Sequence, residues 1–558
     1  MPVLSKRLFY LSLLSSCLGL HAGNLYKIAS GWCLLFAMAS GAPIVLPDQF
    51  NAAAYFVDRH IAEGRGEKIA IECGDIRVSY RQLFERVNQF GNGLRNLGVR
   101  IEERVLLLLL DTPEFAVSFF GAIKIGAVPV PVNTLLKPAD YAYLLNNSRA
   151  RVAIVSQSLI SLVQAIPRDE LRYLETVVIV GDGPQAGEMT FEELTRNSSS
   201  TLDPEPTSKD DSAFWLYSSG STGRPKACVH LQHDMVVSTE RYARGILNIS
   251  EDDRCFSVAK LFFAYGLGNG LYFPLAAGAT SILLPGPPRP QDVFGVIEHH
   301  HPTLFFSVPS NYSKLLSHPA PNGREFDLSC VRHAISAGEA LPANVFHRFK
   351  ERFGVEILDA IGSTEALHMM ISNRPGAVRP GSSGTIIPGF DAKIVDDTNR
   401  TVAQGDTGNL LVKADSVCSC YWNQHEKTKE TIEGHWIRTG DKYYQDQDGY
   451  FWYAGRSDDM LKVSGVWVSP VEIESVLVEH PAVQEVAVIA RTDPDGLIKA
   501  VACIVLRGGV SGTPELSLEL QNFVVSRLPA FKRPHAVEFF QELPKTATGK
   551  LQRFKLRS

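Results

Sequence analysis

The chain has 558 residues, too many for one ordinary hydrophobic core, so two or more domains are expected. Hydrophobic residues make up 45% and charged residues 21%, the balance of a globular protein rather than a disordered or fibrous one. A net charge of −5 without a polybasic face argues against nucleic acid or an anionic membrane as partner, and the nine scattered cysteines lack metal-ligand spacing and read as reduced thiols.

Near the N-terminus, Lys6-Arg7 precede an apolar run from Leu8 to Leu20, and a second run spans Trp32 to Ala39. Both are too short to span a membrane. The first is similar to the apolar part of a signal peptide, and Leu14-Ser15-Ser16-Cys17 to a lipoprotein box. The reading favoured here is an upstream extension, with Met38 as the alternative start. Residues 1–47 are therefore expected to stand outside the fold, and the protein to be cytoplasmic.

Asn51 to Ile61 has helical spacing. Ile69-Ala70-Ile71-Glu72 reads as a strand, Gly74-Asp75 as a hairpin turn, and Ser79 as the cap of a helix that runs to Leu97 and stops at Gly98. Strands at Val105–Leu110, Val128–Val132, Val152–Val155 and Thr176–Val180 then alternate with helices at Pro113–Ile125 and Pro138–Leu145. Continuous apolar strands between helices predict a parallel sheet covered on both faces. Ser198 to Asp211 is a polar linker.

A short apolar strand, Ala213–Leu216, leads into Tyr217-Ser-Ser-Gly-Ser-Thr-Gly-Arg-Pro-Lys226. Many backbone N–H groups and hydroxyls with little side-chain bulk suit a polyphosphate, and Arg224 and Lys226 add positive charge. The bland alternative is a flexible surface loop. It is not a Walker A loop, since neither Ser nor Thr follows Lys226 and the glycine spacing differs.

The alternation resumes with helices at His233–Leu247, Val293–His301 and Pro342–Phe353. Strands are read at Cys255–Ala259, Thr280–Leu284, Thr303–Val308, His333–Ser336 and Glu356–Ala360. Ligands in such sheets bind beyond the carboxyl ends of strands. After Pro375, alternating segments at Lys393–Val395, Leu410–Lys413, Trp436–Thr439 and Tyr450–Tyr453 predict a small barrel-like β module. Past Gly455, a helix from Ser469-Pro470 to Glu479, strands at Val486–Ala490 and Val501–Leu506, a helix at Leu516–Leu528 and a strand at Glu538–Phe540 predict a small α+β domain. The fold class is α/β. A large domain over 48–457 is expected to hold two α/β subdomains and the β module, and 458–558 to form a mobile domain.

From about Asp48 onward the chain resembles the adenylate-forming superfamily. The motifs that carry the likeness are Tyr217–Lys226, Ala337-Gly-Glu-Ala-Leu-Pro342, Ile361-Gly-Ser-Thr-Glu365, Arg438-Thr-Gly-Asp441, Gly455-Arg-Ser-Asp-Asp-Met-Leu-Lys-Val-Ser-Gly465 and Pro544-Lys-Thr-Ala-Thr-Gly-Lys550. Gln49-Phe-Asn-Ala-Ala-Ala-Tyr55, Lys260-Leu-Phe-Phe-Ala-Tyr-Gly-Leu-Gly-Asn-Gly270 and Gly362-Ser-Thr-Glu-Ala-Leu-His368 make it most similar to the benzoate–CoA ligase group.

The resemblance implies a two-step, AMP-forming reaction with ATP, Mg²⁺ and coenzyme A. It acts on benzoate or, alternatively, on a substituted benzoate or an alicyclic acid. It implies that Ser218, Ser219, Gly220, Ser221, Thr222, Gly223 and Lys226 hold the β- and γ-phosphates. Glu365 would bind the metal with Thr364 beside it. Gly338, Glu339, Ala340, Asp359, Ala360, Ile361 and Gly362 would line the adenine slot, and Ser363 would also touch the nucleotide. Asp441 would take the ribose hydroxyls and Arg456 the ribose–phosphate side. Lys550 would bond both the carboxylate and ATP oxygens, as a compact ammonium can.

Asp458 matches the hinge, and Lys462, Gly465 and Trp467 would face the pantetheine tunnel. Benzoate ligases tend to have Gln-Tyr where this chain has Val466-Trp467. The acyl pocket would use Ala264, Tyr265, Gly266, His333, Ile361 and His368. Phe262, Phe263 and Tyr265 equally fit a core strand, and His368 equally a core histidine. A monomer or homodimer working on a small aromatic acid is expected.

Overall fold

The computed structural model describes residues 43–181, 188–218, 224–320, 325–456, 461–463, 466–492, 498–545 and 551–556. The first parallel sheet forms where the apolar runs predict it. Its order is Val128–Pro131, Arg104–Leu108, Val152–Ser156, Thr176–Val180 and Met189–Thr190, every pair parallel. The helix Pro113–Lys124 is apolar nearly all round because it is buried nearly all round. It crosses the helix Tyr80–Asn96 closely, since a Cβ on Gly121 would lie 2.7 Å from the Phe90 ring and one on Gly91 would lie 3.1 Å from the Gly121 carbonyl. Ser79 caps Tyr80–Asn96 in a reciprocal capping box with Gln82.

The second sheet has nine strands. Ile357–Gly362, His333–Ser336, Leu304–Ser307, Arg254–Ser257, Thr280–Leu283 and Ile69–Cys73 run parallel in that order. Antiparallel strands close both edges, Ile76–Ser79 at one side and Met369–Ser372 with Thr385–Ile386 at the other. The Gly74-Asp75 hairpin is present, and its first strand reaches across the chain to pair with Thr280–Leu283. Buried residues of both sheets and of the helices between them form one large hydrophobic core.

Three segments differ from the sequence reading. Asn51–Ile61 and His233–Leu247 each contain a π-helical stretch, Ala54–Asp58 and Thr239–Arg244. The Phe262–Tyr265 stretch is not a core strand. It opens a helix, Ala264–Leu267, that continues as a π-helical turn Gly268–Tyr272 and a helix Phe273–Ala277. Period-two and period-3.6 burial are hard to tell apart when every residue of a segment is buried.

The β module is a five-stranded antiparallel sheet. Asp391–Val395, Gly408–Lys413, Trp436–Gln445 and Ile432–Glu433 lie in order, with Phe451–Arg456 also against Trp436–Gln445. The last part of the chain builds Val483–Thr492, Ile498–Leu506 and Ala536–Phe540 into a sheet with its own apolar core, covered by helices Pro470–Leu477 and Pro514–Val525. No helix among the described residues is long and apolar enough to cross a membrane, and the described cysteines are all free thiols.

Candidate active site

The loop read as a phosphate cradle is flanked by two antiparallel strands, Ser212–Ser218 and Lys226–Leu231, in which Ser218 pairs with Lys226. The second strand was not foreseen, because its Ala-Cys-Val-His run is too short to give a period. A two-residue strand, Cys420–Tyr421, extends this sheet and sets Tyr421 beside Cys228. Ser219, Gly220, Ser221, Thr222 and Gly223 lie outside the described residues.

Glu365 meets the base of this hairpin. Its Oε1 accepts from the Tyr421 hydroxyl at 2.6 Å and from Ser218 Oγ at 3.3 Å. Lys226 Nζ lies 4.3 Å from the centre of the Tyr421 ring, a cation–π distance. Tyr421 therefore serves the lysine with its face and the carboxylate with its hydroxyl. The turn that carries Glu365 is fixed by its own backbone: Ala366 N–H donates to Ser363 Oγ and Leu367 N–H to the Thr364 carbonyl.

The parallel strands end in small residues beside this turn. Gly338, just past His333–Ser336, has φ of +91°, and a Cβ there would meet only Val308, at 3.9 Å. A left-handed residue with open space over it lets a flat ligand approach the backbone. Glu339 and Ala340 follow in the same turn. Leu341 N–H donates to Asp359 Oδ2 at 3.3 Å, tying the turn to the next strand. Burial pushes the Asp359 carboxyl up to about 8, so it is largely neutral at physiological pH. Ala360 is buried and Ile361 half-buried next to it. Gly362 has a different reason to be glycine from the adenine contact first assigned to it. Its Cβ would fall 2.4 Å from the His368 carbonyl, at the register shift between paired strands.

His368 lies at the far end of the same turn. Its ring is boxed in by Phe273, Tyr242 and Tyr265 at centroid distances of 4.4, 5.5 and 5.8 Å, and Nε2 bonds Asn269 Oδ1 at 3.1 Å. Burial drives its pKa down to about 3, so the imidazole is neutral. The Tyr265 hydroxyl donates to the carbonyls of Ser307 and Ile335, at the carboxyl ends of two parallel strands. Ala264 is buried beside it. Gly266 is required by packing, because a Cβ would sit 2.1 Å from the Lys260 carbonyl.

Asp441 and Arg456 face each other across the antiparallel ladder, and Arg456 Nη1 donates to Asp441 Oδ1 and to the Thr439 carbonyl, both at 3.0 Å. Gly440, at φ +75°, leaves room for the guanidinium, which a Cβ would meet at 2.7 Å. Lys462 and Trp467 pair across a short hairpin, Leu461–Val463 with Val466–Val468. Their side chains, Gly465, Asp458 and Lys550 lie outside the described residues.

The family model described as AMP-binding enzyme matches residues 57–422, and that of the AMP-binding enzyme C-terminal domain matches 472–550. A benzoate–CoA ligase of Thauera aromatica is 46% identical over 92% of this chain and 97% of its own length. The chain belongs to the benzoate–CoA ligase family of AMP-binding enzymes. A 4-hydroxybenzoate–CoA/benzoate–CoA ligase of Rhodopseudomonas palustris is 43% identical, covering 91% of this chain and 94% of that one. Among solved structures, an anthranilate CoA ligase in complex with anthranoyl-AMP superposes with a TM-score of 0.87 at 44% identity, covering 92% of this chain and 97% of that one. A benzoate CoA ligase from Burkholderia xenovorans gives a TM-score of 0.83 at 44% identity, covering 91% of this chain and all of the other. The enzyme is accordingly an acid–thiol ligase.

One sequence assignment in this enzyme is corrected by strand polarity. His333 opens its strand, opposite Leu304, whereas the site gathers past Ser336, opposite Ser307. Three residues of strand separate the two, about 10 Å. The neighbours of His333 are Arg332, Asp253 and Glu356 at the other end of the sheet, away from the rings around His368. The residues that sequence reasoning missed are Tyr421, Tyr242, Phe273 and Asn269. Asn269 stood inside the quoted Lys260–Gly270 stretch, and the others carried no motif.

Proposed function

We propose that the enzyme joins benzoate to coenzyme A at the expense of ATP, through a benzoyl-adenylate. The observation that carries this reading is the Glu365 carboxylate, held by Ser218 and Tyr421 beneath the Lys226 hairpin, on the same strand–turn–strand that carries His368 among its aromatic rings. With His368 and Asp359 both neutral, neither gives the pocket a formal charge. Such walls suit an uncharged ring and give no anion to hold the ammonium of an amino acid. Benzoate is an acid named for three of the four relatives above.

In the first half-reaction the carboxylate oxygen attacks the α-phosphorus and pyrophosphate leaves. Lys226 and the residues from Ser218 to Gly223 take the β- and γ-phosphates, and Lys550 neutralises the charge gathered between carboxylate and phosphate. Gly338 to Ala340 and Asp359 to Ser363 receive the adenine, while Asp441 and Arg456 take the ribose and its phosphate side. Glu365 would hold the family's Mg²⁺, since a single hard carboxylate oxygen suits that ion. No group of three or more metal-ligating side chains occurs among the described residues. When bound, the ion neutralises phosphate charge. In the second half-reaction the thiol attacks the acyl carbon and AMP leaves. Residues 458–558 act as the mobile domain, turning at Asp458 to bring Lys462, Gly465 and Trp467 to the pantetheine.

ATP–pyrophosphate exchange over benzoate, 4-hydroxybenzoate, 2-aminobenzoate, cyclohexanecarboxylate, a fatty acid and an amino acid tests the reading. Benzoate is expected to give the highest kcat/KM. A hydroxy- or amino-benzoate in first place moves the substrate within the family, and a fatty or amino acid there overturns the proposal.

A further inference from the structure

We propose that His230 is a positioning residue for the adenylation step, holding the Glu365 turn in register with the phosphate-loop hairpin through the carbonyl of Thr364. His230 lies on Lys226–Leu231, with its ring wholly buried against Phe214 at a centroid distance of 5.1 Å. Its Nε2 is 2.8 Å from the Thr364 carbonyl oxygen. A carbonyl can only accept, so Nε2 carries the hydrogen and donates. On the other side Nδ1 is 2.8 Å from Asp234 Oδ2, which also accepts Leu231 N–H at 3.1 Å. Both ring nitrogens are thus pinned, and the imidazole is a rigid strut between segments 134 residues apart.

Ser218, Tyr421 and Cys418 N–H each bond Glu365 itself. His230 instead holds the peptide before it, where the turn also closes through Leu367 N–H to the same Thr364 carbonyl. The carbonyl keeps its Leu367 N–H bond when the ring is removed, so what is lost is the tie between the turn and the hairpin strand. The residue touches no substrate and acts by setting where Glu365 stands relative to Ser218 and Lys226.

The inference rests on the proposed nucleotide role of Glu365, and two paired variants separate the claims. In His230→Gln the amide nitrogen reaches the place of Nε2. In His230→Asn it stops near the place of Nδ1. His230→Asn is expected to weaken calorimetric binding of Mg·α,β-methylene-ATP, and to raise KM for ATP in pyrophosphate exchange, by about tenfold, the upper end for one lost hydrogen bond. Conversion of supplied benzoyl-adenylate to the thioester should stay within about twofold, since a local shift of the Glu365 turn leaves that half untouched. His230→Gln should recover most of the loss.

Equal behaviour of the two variants overturns the proposal, as does a common fall of both half-reactions with a lowered melting temperature. Glu365→Gln, run alongside, tests the nucleotide role by itself. If it leaves binding and exchange unchanged, that role fails whatever His230 does.

Discussion

Asp359 is a buried carboxyl that keeps its proton, and this ties the stability of the fold to pH. In the unfolded chain a carboxyl of this kind ionises near about 4, whereas in the fold burial holds its value at about 8. A folded-state value above the unfolded one means the contribution is whole below about 4 and is lost as pH rises through the folded value. The melting temperature should therefore fall as pH is raised from about 5 to 8, and Asp359→Asn should flatten that limb by removing the ionisation. Calorimetry of both proteins across the range checks it, and parallel slopes would show that another group sets the dependence.

At this scale the sequence was informative where a motif is contiguous. Ser363, Thr364, Glu365 and His368 come on one short turn, so their grouping was legible. Tyr421 was not, because its partner Glu365 is 56 residues away and only the folded hairpin sheet brings them together. His333 shows the converse failure. Its strand was read with the right bounds, but which end faces the ligand follows from the polarity of the whole sheet.

At the scale of elements, the helical turn at Gly268–Tyr272 decides how closely the chain packs on His368. A Cβ on Gly268 would fall 2.5 Å from His368 Cδ2, 2.7 Å from Nε2 and 2.9 Å from the Tyr272 hydroxyl. These are side-chain atoms, but the His368 ring has Phe273, Tyr242 and Tyr265 around it and cannot give way cheaply. Gly268→Ala should therefore destabilise the fold by about 1–3 kcal/mol, as overpacking of a core does. It should also change the ranking of aryl acids in the exchange assay.

Gly295, inside the helix Pro290–His300, has nothing within 4 Å of a Cβ. There Gly295→Ala should stabilise by about 0.5–1 kcal/mol, the helix preference for alanine over glycine. Denaturant unfolding of the two variants should move in opposite directions, and equal shifts would mean that the Gly268 contact is not confining. Sequence alone could not separate these glycines. Both sit in helical surroundings, and what differs is a histidine ring that arrives from residue 368.

The whole molecule poses a conflict that one arrangement cannot resolve. On the proposed mechanism Lys550 is wanted at the phosphates during adenylation, and a thiol needs access to the acyl carbon afterwards. The change in composition past Gly455 is the signal on which a separate last domain was expected, and the described strands Val483–Thr492, Ile498–Leu506 and Ala536–Phe540 form a sheet with an apolar core. That independent core is what a rigid-body swing requires, since a domain packed on itself can turn without unfolding. A described contact across the junction is available for such a turn to break or remake: the Ser469 hydroxyl, after the proposed hinge, donates to the Ala454 carbonyl before it.

Removing the ammonium should cost one half-reaction and stiffening the hinge the other. Lys550→Ala is expected to abolish pyrophosphate exchange, yet still convert supplied benzoyl-adenylate and coenzyme A to the thioester. Asp458→Pro fixes φ at the pivot and should keep exchange while losing thioester formation by about tenfold or more. Single-turnover assays of each half on both variants decide it. If both variants lose both halves in equal proportion, the two steps share one arrangement of the domains, and the swing about Asp458 is wrong.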